Sequence, residues 1–294
     1  MQSRDEMDSA RANETDAADV LARAKAYPFP RPRSSVVLVG EHVFELVEVE
    51  PGELAAGRVR ADGELVSLAE VAARAGAPAG DLAAPRRAVL AYGSNASPES
   101  LRWKFPDHVS VLPLLRGAAA GVDVVYSAHM SVYGSIPATL QASPATQVEV
   151  FVALLTDAQL ERMTAWEINA APERLDGLAV ALECAPRPGE LTAFVSRHGC
   201  LTAEGGEIAV AAVDAESRTY PAMTEPEVLE HARRVSAPDL SLDEFVLEGV
   251  RDYARARQYT ERLKRSARPF IDPRERPASG EGRTTVRRGG DGKP

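Results

Sequence analysis

The stretch Ala88-Val89-Leu90-Ala91-Tyr92-Gly93-Ser94-Asn95 decides how the middle of this chain folds. Its first five residues are apolar or aromatic and are followed by a glycine, which is typical of a short buried strand stopped by a tight loop. Further on, Ser97-Pro98-Glu99 offers an N-cap serine, a proline at the first helical position and an acid in the first turn. The sequence therefore predicts a strand, a tight loop and a helix in succession.

A loop between a strand and a helix can hold a negatively charged group. Small residues leave backbone N–H groups accessible, and the start of the following helix adds partial positive charge. A carboxylate or a developing oxyanion could therefore bind at residues 92–95. Taken alone, however, Gly-Ser-Asn after a strand is also ordinary turn chemistry, so the loop by itself leaves both interpretations open.

The rest of the chain alternates irregularly between two kinds of pattern. Short apolar runs predict strands at residues 36–39, 43–49, 122–127, 138–142, 148–155, 178–184, 191–195 and 208–213. Apolar spacings of three and four predict helices at residues 68–74, 156–166, 225–235 and 242–264. This mixture predicts an α+β fold.

Changes in composition predict four parts. Residues 1–33 are rich in Ala, Asp, Glu and Arg and end in the breaker run Pro28-Phe29-Pro30-Arg31-Pro32, which predicts a mobile N-terminal arm. Residues 34–85 form an N-terminal extension of unknown role, which could add strands, form a lid or offer a partner surface. Residues 86–267 form the main domain, and residues 268–294 lose the apolar period, which predicts a disordered tail.

Several segments, taken in order, carry a resemblance to one family. Val89-Leu90-Ala91-Tyr92-Gly93-Ser94-Asn95 looks like the signature loop of the γ-glutamylcyclotransferase superfamily, which includes γ-glutamylamine cyclotransferases. Residues 135–140 and 148–155 resemble strands that follow this loop in the family, and residues 241–249 resemble a C-terminal segment. Leu160-Glu161-Arg162-Met163-Thr164-Ala165-Trp166-Glu167 resembles the helix end that carries the family's catalytic glutamate. The similarity implies a small mixed β-barrel surrounded by helices.

The resemblance also implies an activity that needs no metal or nucleotide cofactor. The α-amine of a γ-glutamyl group would attack its own γ-carbonyl, giving 5-oxoproline and releasing an amine or amino acid. The resemblance places substrate binding on Tyr92, Gly93, Ser94 and Asn95, and general acid/base catalysis on Glu167. We expect partial burial to raise the pKa of Glu167 toward working pH, whereas a solvated glutamate at a helix end is the alternative.

Other features leave the function of this site open. Tyr92 could close a pocket or plug the end of the barrel with its ring. Phe245 stands where a tyrosine is more typical of the family, and Thr164 and Ala165 replace a more acidic sequence before Glu167. The alternative to an enzyme is therefore a noncatalytic ligand- or protein-binding module that keeps the fold.

Composition and charge limit the partners. A formal net charge of −9 does not favour nucleic acid, because phosphate binding needs a concentrated basic face. The sequence has no apolar run long enough to predict a membrane span or a signal peptide, so we expect a cytoplasmic protein. The resemblance implies that its partner is a small-molecule γ-glutamyl substrate. His198-Gly199-Cys200 contains two potential metal ligands without further ligands at a recognisable spacing, which favours a turn. The oligomeric state is not predicted.

Overall fold

The computed structural model describes residues 16–50, 52–105, 111–204 and 206–273. Within these residues the fold is α+β, as the sequence predicts, with a large and mostly antiparallel sheet flanked by helices. The helices are α1 (Ala17–Lys25), α2 (Leu68–Arg74), α3 (Ala79–Ala83), α4 (Pro98–Lys104), α5 (Asp157–Trp166), α6 (Glu225–Ser236), α7 (Leu242–Arg251) and α8 (Tyr253–Leu263). The strands are β1 (Val36–Val39), β2 (His42–Glu48), β3 (Arg58–Ala61), β4 (Glu64–Ser67), β5 (Arg87–Ala91), β6 (Val111–Tyr126), β7 (Ala138–Leu155), β8 (Ala170–Arg174), β9 (Ala179–Leu182), β10 (Thr192–Ser196), β11 (Thr202–Ala203), β12 (Gly206–Glu207), β13 (Ala209–Val210), β14 (Ala215–Glu216) and β15 (Ala222–Met223). Short 3₁₀ helices lie at Leu54–Ala56, Ser94–Ala96 and Lys264–Ser266.

One sheet organises the fold. Its main path runs β4-β3-β2-β1-β6-β7-β5-β10-β8, and β9, β13, β14 and β15 pair at its sides. β5 and β10 are parallel, as are β13 and β15, whereas the strands along the rest of the path are antiparallel. No pairing between β4 and β8 closes this path in the described residues. A closed barrel is therefore not found there, and the small barrel stays a prediction.

The centre of the sheet is a pair of long antiparallel strands. β6 has 16 residues and β7 has 18, so the shorter strands predicted at residues 122–127, 138–142 and 148–155 are parts of longer ones. The pairing shifts register between Ala120 and Val122, where Gly121 has a φ of +85°. Glycine adopts this conformation without strain, so the strand continues through an irregularity that breaks the apolar pattern.

Both faces of the sheet are covered. A large apolar core lies on one face, and a second core contains Leu101 of α4 and Met163 of α5. Strand β1 shows the alternation, because Val36 and Leu38 belong to the second core and its other two residues to the first. Helices α4 and α5 therefore cover the same core, and this brings their C-terminal ends close to each other.

Residues 16–33 pack against the rest of the fold. Helix α1 contacts α7, and Val20 and Ala24, which are one turn apart, are buried. Lys25 forms an ion pair with Asp243 at 2.8 Å. This packing differs from the mobile arm predicted for residues 1–33, of which residues 1–15 lie outside the described residues.

The extension of residues 34–85 adds strands to the sheet. Strand β1 pairs with β6, and β2, β3 and β4 continue the sheet outward from it. Helix α2 follows β4 directly, since the side chain of Ser67 accepts a hydrogen bond from the backbone N–H of Glu70 and caps the helix. Of the roles left open by the sequence, the structure assigns this segment the addition of strands.

The first residues of the predicted tail are attached to the sheet. Arg268 exchanges two backbone hydrogen bonds with Cys200, at 2.7 and 3.0 Å. Gln141 donates to the carbonyl of Pro269 at 3.1 Å and accepts from the backbone N–H of Ile271 at 2.9 Å. The remainder of the predicted disordered segment, residues 274–294, lies outside the described residues.

Polar caps decide where the C-terminal helices begin. The sequence predicts one helix over residues 242–264, but the structure has α7 and α8 with a break at Asp252. The side chain of Asp252 accepts hydrogen bonds from the backbone N–H groups of Ala254 and Arg255, at 2.8 and 3.2 Å. Aspartate is a preferred N-cap residue, so it starts a new helix where apolar spacing alone predicts continuation.

Candidate active site

Two helix ends meet beside the loop at residues 93–95. Lys104 is the last residue of α4, and Glu167 follows α5 as its C-cap. The loop enters α4 through the 3₁₀ helix Ser94–Ala96. Because α4 and α5 cover the same core, the loop, the end of α4 and the end of α5 come within hydrogen-bonding distance of one another.

Asn95, Lys104 and Glu167 form a hydrogen-bonded triad. Nδ2 of Asn95 donates to Oε1 of Glu167 at 3.0 Å, and Nζ of Lys104 donates to the same oxygen at 2.7 Å. Nζ also donates to Oδ1 of Asn95 at 2.6 Å. The side chains of Lys104 and Glu167 are only 7% and 21% exposed. No hydrogen-bond partner for Oε2 of Glu167 is found in the described part of the chain.

The pKa of Glu167 is lowered from its ordinary value. Burial raises the pKa, but the charge of Lys104 and the hydrogen bonds from Lys104 and Asn95 outweigh burial. The sequence-based expectation of a raised pKa is therefore wrong in direction, because nothing near Glu167 in the sequence indicates the ammonium group that faces it. Near pH 7 the triad holds a carboxylate, not a carboxylic acid.

A cleft of about 120 Å³ opens beside the triad. This volume is about ten times what a single water molecule needs, and it suits part of a small molecule. The residues that line the cleft come from distant parts of the chain and include Tyr27, Ser94, Lys104, His129, Glu167 and Ser196.

The four predicted loop residues differ in where they lie. Ser94 lines the cleft, and Asn95 reaches the cleft through Glu167. Tyr92 is 5% exposed, does not belong to the cleft lining described above, and donates its hydroxyl to the carbonyl of Phe194. The ring of Tyr92 is therefore packed in the core, and its predicted roles in closing a pocket, plugging a barrel end or binding substrate stay predictions.

Gly93 makes room for a residue from the N-terminal segment. A Cβ at position 93 would lie 2.5 Å from the hydroxyl of Tyr27 and 3.3 Å from the Cβ of Ala138. Such a distance to the hydroxyl does not occur between unstrained atoms, so only a glycine allows Tyr27 to approach this loop. The sequence gives no signal for this contact, because Tyr27 falls in the segment predicted to be mobile.

His129 and Ser196 belong to a chain of hydrogen bonds at the cleft wall. Oγ of Ser127 lies 2.6 Å from Nδ1 of His129 and 2.6 Å from Oγ of Ser196. His198 donates its backbone N–H to Ser196 at 3.0 Å, and its ring centre lies 4.7 Å from that of His129. Burial, followed by the charge of His198, lowers the pKa of His129 to about 3. The imidazole of His129 is thus neutral near pH 7, and this wall offers hydrogen bonds without charge.

The remaining residues that the sequence analysis singled out lie in the core or in a turn. Phe245 is fully buried, with its ring centre 4.8 Å from that of Tyr259. Gly199 has a φ of +78°, which agrees with the turn predicted at residues 198–200, and Cys200 is buried. Within the described residues, no group of three or more His, Cys, Asp or Glu side chains could hold a metal ion.

No helix in the described ranges is both long and apolar enough to cross a membrane. No protein-family model, curated protein or solved structure matches the chain.

Proposed function

We propose that this protein cyclises the γ-glutamyl group of a small molecule to 5-oxoproline and releases an amine or amino acid. One observation carries the proposal. Asn95 and Glu167, which are 72 residues apart in the sequence, are joined by a 3.0 Å hydrogen bond beside a cleft of about 120 Å³. Asn95 belongs to the loop whose resemblance to the cyclotransferase family is fairly specific, and Glu167 is the residue on which the resemblance places the catalytic role.

Glu167 is the proposed proton carrier. The α-nitrogen of the substrate must lose a proton before it can attack the γ-carbonyl carbon, and Oε2 of Glu167 is free to accept this proton. Attack forms the C–N bond of the ring and moves the π electrons of the carbonyl onto its oxygen. When the carbonyl reforms, the bond to the leaving nitrogen breaks. The α-nitrogen loses two protons in all and the leaving nitrogen gains two, which one carboxylate can carry in turn.

Asn95 and Lys104 are proposed to orient this carboxylate. Both bind Oε1 of Glu167, so the second oxygen is held in one direction. Lys104 also keeps Glu167 ionised in a site that water barely reaches. The resemblance extends to the fold as well, and a small mixed β-barrel is the finer architecture that we propose with this function.

A noncatalytic binding site is the second candidate, and the Lys104–Glu167 ion pair is the observation that favours it. A carboxylate whose pKa is lowered accepts a proton less readily, and general acid–base catalysis is most efficient when the pKa lies near the working pH. Such a pair could instead bind the ammonium and carboxylate groups of a ligand without reaction.

Release of 5-oxoproline from a panel of γ-glutamyl amino acids and γ-glutamylamines separates the two candidates. The chain offers a matched control, because Glu161 lies on the same helix and is exposed. We expect Glu167→Gln to lower kcat by roughly 100-fold or more, whereas Glu161→Gln should retain the activity of the parent protein. Equal activity in both variants would contradict the role of Glu167. Absence of release from every substrate, together with ligand binding that depends on Glu167, would favour the noncatalytic site.

A further inference from the structure

Tyr27 brings a hydroxyl group into the cleft from outside the region that resembles the cyclotransferase family. It follows α1, and its side chain lines the cleft together with Ser94 and Glu167. The hydroxyl oxygen accepts a hydrogen bond from the backbone N–H of Ala138 at 2.7 Å. This backbone donor helps to fix the position of the oxygen.

The hydrogen-bonding capacity of a phenol determines where its proton goes. A tyrosine hydroxyl has two acceptor lone pairs and one donor proton. Ala138 uses one lone pair of Tyr27, and no acceptor for its proton is found in the described residues. Since the side chain is only 6% exposed and lines the cleft, the proton is available to an acceptor atom bound there.

The surroundings hold the ring of Tyr27 in place. Phe29 makes an edge-to-face contact with Tyr27 at 5.8 Å between ring centres, and a similar contact with Tyr133 at 6.3 Å. The guanidinium group of Arg23 lies 3.4 Å from the ring centre of Trp103 on α4. These contacts tie the N-terminal segment to the rim of the cleft, so the hydroxyl is positioned before any ligand binds.

Tyr27 remains a donor at all pH values at which an enzyme works. Burial raises its pKa, and the hydrogen bond from Ala138 offsets burial only in part. The charges of Glu225 and Glu167 raise the pKa further.

We propose that the hydroxyl of Tyr27 donates a hydrogen bond to the γ-carbonyl oxygen of the bound γ-glutamyl group and stabilises the oxyanion that forms there. This inference rests on the proposed function. As the α-nitrogen forms its bond to the γ-carbon, the π electron pair moves to the oxygen, and Tyr27 shares its proton without transferring it. When the carbonyl reforms and the leaving nitrogen departs, the hydrogen bond weakens again. The backbone N–H of Ala138 polarises the hydroxyl and so acts on the substrate through it.

Tyr27→Phe tests this role, because phenylalanine keeps the ring and its contact with Phe29. Removal of one oxyanion donor lowers kcat by about 100-fold or more, and we expect that loss with a much smaller change in KM, since the interaction strengthens in the transition state. Tyr126→Phe is the matched control. The hydroxyl of Tyr126 donates to the carbonyl of Met223 at 3.0 Å, outside the cleft, so this variant should keep the parent kcat.

Each outcome of the 5-oxoproline assay has one meaning. A loss of kcat in Tyr27→Phe but not in Tyr126→Phe supports the inference. A rate in Tyr27→Phe equal to that of the parent overturns it and leaves the proposed function standing. A higher rate also overturns it, because the hydroxyl would then compete with the substrate for the backbone N–H of Ala138. If the parent protein releases no 5-oxoproline from any substrate, the proposed function fails and the inference fails with it.

A second substitution covers the case in which Tyr27→Phe does not fold, as judged by circular dichroism. Incorporation of 3,5-difluorotyrosine at position 27 keeps the hydroxyl and gives a more acidic phenol of nearly the same size. An ionised phenol cannot donate, so kcat of this variant should fall at alkaline pH values at which the parent protein keeps its activity. A kcat–pH profile equal to that of the parent would overturn the role of Tyr27 as a donor.

Discussion

Replacing Lys104 with methionine removes the cation that faces Glu167 in a site with little access to water. Nζ of Lys104 and Oε1 of Glu167 are 2.7 Å apart, and at an effective dielectric constant of about 20 two unit charges at this distance attract each other by roughly 6 kcal/mol. Much of this attraction offsets the cost of burying the charges, and the loss of one partner of a buried pair costs about 3–5 kcal/mol. Since the side chain of Glu167 keeps 21% of its exposure, we expect a loss of about 3 kcal/mol.

A double-mutant cycle measures whether this loss comes from the pair itself. Urea denaturation at pH 7, followed by circular dichroism, gives the free energy of unfolding of the parent, Lys104→Met, Glu167→Gln and the double variant. In the double variant no charge is left buried without its partner, so its loss should be smaller than the sum of the two single losses by about 1–3 kcal/mol. Single losses that add within about 0.5 kcal/mol would refute the coupling.

The direction of the pKa shift gives the same pair a pH dependence. The pKa of Glu167 is lowered in the folded state, so the stabilisation is complete above the unfolded pKa of about 4.3 and is lost as the pH falls through the folded pKa. Without the ammonium group, burial is left to raise the pKa. In Lys104→Met, the acid limb of the kcat/KM profile should therefore move to higher pH, and an unchanged limb would contradict this account of Glu167.

Two further tests concern packing and burial elsewhere in the fold. In Gly117→Ala, the new Cβ would overlap the backbone carbonyl of Ala181 in β9, so we expect a loss of about 3 kcal/mol in unfolding free energy. Gly80→Ala, with nothing within 4 Å of its Cβ, is the control and should not destabilise, and equal effects in urea denaturation would refute the packing. Burial raises the pKa of Glu225 well above its ordinary value, so the folded state holds a proton that the unfolded chain releases above about pH 4.3. The free energy of unfolding should then fall as the pH rises from there to the folded pKa. Glu225→Gln should remove this pH dependence. If the urea midpoints of the parent and of Glu225→Gln differ by the same amount at every pH, the account of Glu225 is contradicted.

Local signals were sufficient to predict the elements that carry the site. A run of apolar residues ended by Gly93 predicts β5, and Pro98 after a serine predicts the start of α4, although the side chain of Ser97 makes no capping hydrogen bond. Helix α5 lies where apolar spacing predicts a helix at residues 156–166, and the side chain of Thr156 caps its start by accepting from the backbone N–H of Gln159 at 3.2 Å. The spacing of apolar residues and the preferences of turn residues depend on neighbours in the sequence, so a single sequence is enough to detect them.

The contacts between these elements could not be predicted from such local signals. Lys104 has no neighbour in the sequence that marks it as a partner of Glu167, because the pair depends on α4 and α5 covering one core. Tyr27 precedes a proline-rich run that favours an irregular arm, and its role depends on Gly93 and Ala138, which are far away along the chain. Asp252 divides the helix predicted at residues 242–264, because its side chain caps a new helix at a point where apolar spacing alone predicts that one helix continues.

The order in which the chain is synthesised has a consequence for how the cleft forms. Tyr27 and the loop at residues 93–95 precede Glu167, and Ser196 follows all of them. Strand β5, which carries the loop, pairs with β7 and β10 on its two sides. A nascent chain therefore exposes the N-terminal aromatic residues before their partners exist. Proteins that depend on such distant pairings fold slowly, and we expect fragments that end before β10 to lack a formed binding site.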